Sequence, residues 1–513
     1  MRAGGLEARH AGGVDQRPST YIARSTWRGL GLALSLVVAS AAAAAGEPGK
    51  RGNPGQKMAV TTASPEARAL FLQGFDLLER RRHAEAYARC REAVAADPEL
   101  AVAHLCLYIT TGSKTEALEE MRRAVGLADK ATEPERLWIL SDDAIVRGDG
   151  AAEKRHIDRI VELLPDDEHA YNLLAAYHYR RANWAEAIKA YAMATRIAPS
   201  YTLAYNQLGY SYEFLGRYAE AEAAFQKYIE LLPGDPNPYD SYAELLMKMG
   251  NYGGSIEQYD KALAIDPKFA TAYIGAGNDE ILLGRFAEAR RAFARLVAAG
   301  RTAEDRRQGW LWTALSHVHE GHTAEAIAAI GVATAIAQTA GDQRGMAADL
   351  HLTGDILLDA ARPAEAAAAF SHQAATLARA PAPTEVRAAD QRDARFDRAR
   401  VALVTHDLTA ARAERDALLR ESTDPRSQFR AHELAGRVAL ADHDATTAVA
   451  ELDRADPRNP RARYLLAVAL EARGDFARAR TVFAEVAAWN AVHPDLAFVR
   501  GQAAVAANRL RAR

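Results

Sequence analysis

The sequence predicts an all-α protein, a solenoid of about twelve antiparallel helix pairs ending in a capping helix. Three observations predict it. Pro165, Pro199, Pro233 and Pro267 recur every 34 residues, as do Tyr171, Tyr205, Tyr239 and Tyr273. Ala187, Ala221, Ser255 and Ala289 keep the same period in a third column. A fixed period of this length is the mark of stacked helix pairs. Composition agrees: 49% hydrophobic and 26% charged residues describe a globular chain rather than a disordered one.

The elements follow in chain order. Gly29–Gly46 contains no charged residue, follows Arg24 and Arg28, and ends in the alanine run Ala41–Ala45. A basic flank, a short apolar core and small residues at the end are expected of a secretory signal peptide over residues 1–45. The mature chain would then be periplasmic or secreted. An uncleaved anchor through 29–46 and an unexported chain are the alternatives. Residues 46–66 begin GEPGKRGNPG and are expected to form a flexible linker.

Residues 67–303 are the regular array. In the unit 202–235, Ala204, Leu208, Tyr212 and Leu215 form one helical face. Gly216 breaks the helix, because glycine takes the left-handed conformation cheaply. Tyr218, Ala221, Phe225, Tyr228 and Ile229 form the second face, and Pro233 ends it. Gly209 and Ala221 are small where the two helices must approach, and Phe225 fills the space beyond. After 303 the turn alanines Ala289, Ala326 and Ala366 spread to 37 and then 40 residues apart, which predicts longer second helices. Lys268 is the last lysine. The irregular array is expected over 304–493, and a capping helix with a polar outer face over 494–513.

These columns resemble the tetratricopeptide repeat family. The unit 168–201 carries the pattern at Tyr171, Leu174, Ala175, Ala187, Tyr191, Ala194 and Pro199. The unit 202–235 carries it at Tyr205, Leu208, Gly209, Tyr212, Ala221, Phe225 and Pro233. Units 236–269 and 270–303 keep Tyr239, Ala243, Tyr259 and Pro267, then Tyr273, Gly277, Ala289 and Phe293. In 67–100, Gly74, Ala86, Ala93 and Pro98 fit, with Cys90 in the aromatic slot. The resemblance implies a right-handed superhelix whose concave groove, lined by first helices, binds a protein or peptide. It implies inward-facing Asn172, Tyr179, Asn206, Tyr210, Asp240, Glu244 and Asn278, partly exposed. Asparagines can hydrogen-bond a peptide backbone and tyrosines offer rigid contact area. Asp240, Glu244 and Glu213 would repel a terminal carboxylate.

Other chemistry is sparse. A formal charge of −3 argues against a nucleic-acid partner. A phosphate loop and the common hydrolase motifs are absent, so the chain reads as a scaffold without catalytic residues or cofactor. His317, His319, Glu320 and His322 form one cluster with metal-ligand residue types. It spans a helix end and a turn, so His317 is expected inside the pair while His319 and His322 point elsewhere, and no metal ligation is expected. Cys90 and Cys106 fall on consecutive helices. In an exported chain they can pair, but the reading favoured from sequence is two buried thiols acting as small apolar residues. The alternatives to an exported scaffold are a membrane-anchored or cytosolic regulator or assembly factor, and a metal-binding or enzymatic activity in the C-terminal half.

Overall fold

A computed structural model of the chain describes residues 55–511 apart from Pro383 and Thr423. The leader at 1–45 and the start of the linker lie outside the described residues. Those described residues contain helices and turns and no strand. They divide into two compact units that meet at Pro233 and Gly234.

The first unit holds five helix pairs. They are α1 (Pro65–Glu79) with α2 (His83–Ala96), α3 (Ala101–Thr110) with α4 (Lys114–Leu127), and α5 (Glu133–Arg147) with α6 (Gly150–Leu163). Then come α7 (Glu168–Arg180) with α8 (Trp184–Ile197) and α9 (Thr202–Phe214) with α10 (Tyr218–Leu231). The second unit holds seven pairs and a last helix. It opens with α11 (Pro236–Lys248), α12 (Tyr252–Ile265), α13 (Ala270–Leu282) and α14 (Phe286–Ala299). It continues with α15 (Ala303–His319), α16 (Thr323–Thr339), α17 (Gln343–Asp359), α18 (Pro363–Arg379), α19 (Thr384–Val404) and α20 (Leu408–Glu421). It ends with α21 (Pro425–Ala441), α22 (Ala445–Leu452), α23 (Pro460–Ala472), α24 (Phe476–Ala487) and α25 (Leu496–Arg509). The change of repeat length at 303 therefore falls inside the second unit. Longer second helices were expected there. In fact α15, a first helix, already runs 17 residues, as do α16, α17 and α18.

Each pair is built the way its sequence dictates. Gly216 has φ +69°, and its N–H donates to the Glu213 carbonyl while the Arg217 N–H donates to that of Tyr212, both at 2.9 Å. This double bond closes α9 and reverses the chain into α10. The close approach of the two helices rests on Gly209. A Cβ built there would lie 2.5 Å from the Phe225 ring, which is fully buried. Gly277 with Phe293 and Gly354 with Phe370 repeat this small-against-large lock. Leu215, placed on the apolar face from sequence, is 42% exposed, because it caps the helix and lies beyond the last packed turn.

In the first pair Cys90 occupies the aromatic slot beside Gly74. It is joined to Cys106 of α3 in a disulfide with Cα atoms 6.1 Å apart, so the two are not free thiols. A covalent link replaces the missing ring as the tie between one pair and the next.

The described part of the expected linker is docked rather than loose. Met58 and Val60 are buried. The Met58 N–H donates to Asp167 Oδ2 at 2.9 Å, and the Thr61 N–H to Glu135 Oε1 at 2.8 Å. Thr62 bonds Asp97, and Lys57 pairs with Glu168. The segment thus straps the end of α2 and the starts of α5 and α7, and the backbone donors of Met58 and Thr61 are satisfied by carboxylates there. Glycine and proline marked an extended chain, but not whether acidic partners awaited it.

The second unit closes on its last helix. α25 buries Phe498, Val499, Ala503, Ala506 and Ala507 and packs against α15 as well as α23 and α24. The Tyr252 hydroxyl donates to Asn490 Oδ1 at 2.6 Å. The last helix is therefore held between two parts of its unit, while Gln502, Asn508 and Arg509 keep an exposed polar side, as expected of a cap.

Candidate partner-binding surface

Contacts that skip a helix identify the crowded side of each unit. In the first, α1 meets α3 and α3 meets α5; in the second, α11 meets α13, α13 meets α15 and α19 meets α21. All are first helices of their pairs. Elements that converge on one side while their partners spread define a concave face, so that face is made of first helices.

The sequence placed seven candidate residues on it, expecting partial exposure. In the first unit Asn172 and Asn206 are buried, at 1% and 3% exposure. Tyr179 is half-buried and stands edge-on to Trp184 at 5.0 Å, with Phe214 4.2 Å from the same indole. Tyr210 is half-buried and meets the Phe225 ring edge-on at 5.1 Å, so its ring does belong to the interhelix packing. In the second unit Asp240 and Asn278 are buried at 7% and 6%, while Glu244 stays half-exposed. The Asn278 amide donates to the Ile274 carbonyl at 2.8 Å, within its own helix. Asp240 and Asn278 lie on α11 and α13, first helices that touch on the concave side, so positions that point inward in an isolated pair are covered there.

Buried acids accompany this packing. Burial pushes the Asp279 carboxyl up to about 8. Burial likewise lifts Asp142 to about 7, with Arg180 pulling only partly the other way.

The largest polar assembly of the concave side lies in the second unit, and sequence reading passed it over. Arg400 of α19 holds Asp355 of α17 at 2.7 Å and Asp397 at 3.2 Å. Arg461 of α23 reaches Asp355 at 3.2 Å and Asp495 at 2.8 Å, with its guanidinium 3.9 Å from the Phe498 ring centre. His351 bonds Asp397 at 3.1 Å. Burial alone would lower His351, but Asp397 and Asp355 outweigh it and lift it to about 9. Burial would raise Asp355, yet Arg400 and Arg461 hold it well below the usual carboxylate range. The one signal available was the loss of lysine after Lys268. Arginine's planar fork satisfies several buried carboxylates at once, where an ammonium is a single point charge.

The histidine cluster also differs from expectation. His317, Glu320 and His322 each offer a ligand atom, all within 4.8 Å of one another. His319 does turn away, stacking on Phe286 at 6.1 Å, and burial, with Arg500 nearby, lowers it to about 4. Gly321, at φ +76°, reverses the chain and returns His322 over the end of α15.

Family profiles described as tetratricopeptide repeat match residues 202–235, 274–340 and 439–504, and one described as TPR repeat matches 243–278. The chain is a tetratricopeptide repeat protein. Among solved structures, it is similar to a tetratricopeptide repeat protein from Parabacteroides merdae ATCC 43184. The identity is 14% over 66% of this chain and 99% of that one, with a TM-score of 0.32. It is also similar to a MamA protein, at 21% identity over 32% of this chain and 89% of that one, TM-score 0.29. MamA 41-end from Desulfovibrio magneticus RS-1 is 14% identical over 32% and 92%, TM-score 0.29. No curated protein matches the chain. Tetratricopeptide repeats generally mediate protein–protein interactions.

Proposed function

We propose that this protein is an exported, non-enzymatic scaffold that binds a protein or peptide partner along its first helices. The observation that carries the reading is the set of contacts that skip a helix. They set first helices side by side on one face, α1, α3 and α5 in the first unit and α11, α13 and α15 in the second, and half-exposed Tyr210 on α9 and Glu244 on α11 are first-helix positions as well. The partner site is not the asparagine ladder, since Asn172, Asn206 and Asn278 are already covered.

Two features support export. The apolar stretch after Arg28 has the composition of a signal peptide, and Cys90–Cys106 is a disulfide, which persists in oxidising compartments. Among the described residues no helix is long and apolar enough to cross a membrane.

Photo-crosslinking side chains at Tyr210 and Glu244, compared with Gln226 and Glu257 on second helices, test the scaffold. The expected result is one shared partner captured from the first-helix positions only. Capture from the second-helix positions alone, or from none, refutes the reading. N-terminal sequencing of the exported fraction should find a start near Gly46; intact residues 1–45 in a soluble cytosolic protein would refute export.

A further inference from the structure

The turn that joins α15 to α16 assembles three metal-ligand side chains from a six-residue stretch. His317 and Glu320 are three apart, so they leave the end of α15 on one side. The chain then reverses at Gly321, and His322 returns beside them, with its Nδ1 3.8 Å from Glu320 Oε2. All three ligand atoms lie within 4.8 Å of one another.

Two further observations single this cluster out from a chance gathering. His317 Nδ1 is buried and has no hydrogen-bond partner, an orphaned nitrogen that coordination would satisfy. Arg290 of α14 grips Glu320 and lies 3.3 Å from Ser316 Oγ. Metal sites fix the direction of a ligating carboxylate by a hydrogen bond from a neighbouring group, and here that bond falls on Oε2, the Glu320 oxygen nearest His322. Glu325 adds a further acidic group on the first turn of α16, just past the turn.

We propose that His317, Glu320 and His322 bind one divalent transition-metal ion of the zinc type, with a fourth position open to water. Two imidazoles and one carboxylate match the donor set that zinc, nickel and copper prefer over magnesium or calcium. Metal–ligand distances of about 2.0–2.1 Å require ligand atoms about 3.3 Å apart. The cluster must therefore close by about 1–1.5 Å, and His322, which is exposed, can supply that movement by rotating its side chain. Bound there, the ion would pin the α15–α16 turn and, through Glu320 and Arg290, tie it to α14.

Calorimetric titration of the tag-free full chain with Zn2+ should show one site, and titration with Mg2+ none. Replacing zinc by Co2+ should give the visible absorption of a low-coordinate ion. His322→Ala and Glu320→Gln should each weaken Zn2+ binding at least ten-fold, while His372→Ala, an exposed histidine elsewhere, should leave it unchanged. His322 is exposed, so its loss does not threaten folding. Absence of a one-to-one site at tens of micromolar Zn2+ overturns the proposal, as does full affinity in His322→Ala.

Discussion

Gly209→Ala adds one methyl group at the crossing of α9 and α10. The new Cβ would sit 2.5 Å from Cε1 and Cζ of Phe225 and 2.8 Å from its Cδ1. Ordinary carbon contacts are about 3.5–4.0 Å, so the ring must retreat by about 1 Å. It has nowhere to go, since Phe225 is fully buried and Tyr210 stands edge-on to it at 5.1 Å. Overpacking of this size costs about 1–3 kcal/mol. Alanine also improves helix propensity by about 1 kcal/mol over glycine, which partly offsets the strain. The net expectation is a loss of about 1–2 kcal/mol. Gly331 is the control: it lies mid-helix in α16, is exposed, and a Cβ there meets nothing within 4 Å. Gly331→Ala should gain up to about 1 kcal/mol from propensity alone. Urea unfolding followed by circular dichroism measures both. Adding Phe225→Leu to Gly209→Ala should recover part of the loss, because the two residues share one space. If Gly209→Ala is as stabilising as Gly331→Ala, the small-against-large lock is wrong and α9 does not cross α10 at this point.

Other outcomes follow from the same structure. Reducing Cys90–Cys106, which closes a loop with a sequence separation of 16, should cost about 3 kcal/mol, read as a lower unfolding midpoint in reductant. An unchanged midpoint would show that the link is not formed. Asp279 is fully buried and its carboxyl is raised to about 8, so its contribution is present below pH 3.8 and lost as pH rises through about 8. Asp279→Asn should therefore be more stable than the parent at pH 9 and close to it at pH 3.5; the reverse order would sink the assignment. His351 is raised to about 9, so its stabilisation is full below pH 6.5 and lost through pH 9, about 1–3 kcal/mol. His351→Gln should flatten that decline. Asp349 is fully buried against Arg307, which is 2% exposed, and Asp349→Ala leaves a buried guanidinium short of its partner. A loss of about 3–5 kcal/mol in thermal or urea unfolding is expected.

The sequence by itself determined the repeat and most of its parts. The unit boundaries 168, 202, 236 and 270 fall at or within two residues of the starts of α7, α9, α11 and α13. That precision has a local cause: left-handed glycines such as Gly216, and prolines such as Pro233, act within one or two turns of the chain. The pairing of Gly209 with Phe225 was legible for the same reason, since both lie inside one repeat. Tertiary structure decided everything that depends on how repeats are placed beside one another. Asn172, Asn206 and Asn278 look inward and accessible in a single repeat but are buried in the array. Cys90 and Cys106 are bonded because α2 and α3 bring their backbones to 6.1 Å. The strap at Met58–Thr62 needs the acidic residues Asp97, Glu135 and Asp167, 35, 74 and 109 residues along the chain from their partners. Asp355 meets Arg400 and Arg461 only because α17, α19 and α23 converge on one side of their unit. Backbone conformation is written in near neighbours, whereas exposure and ion pairing are properties of residues far apart in sequence.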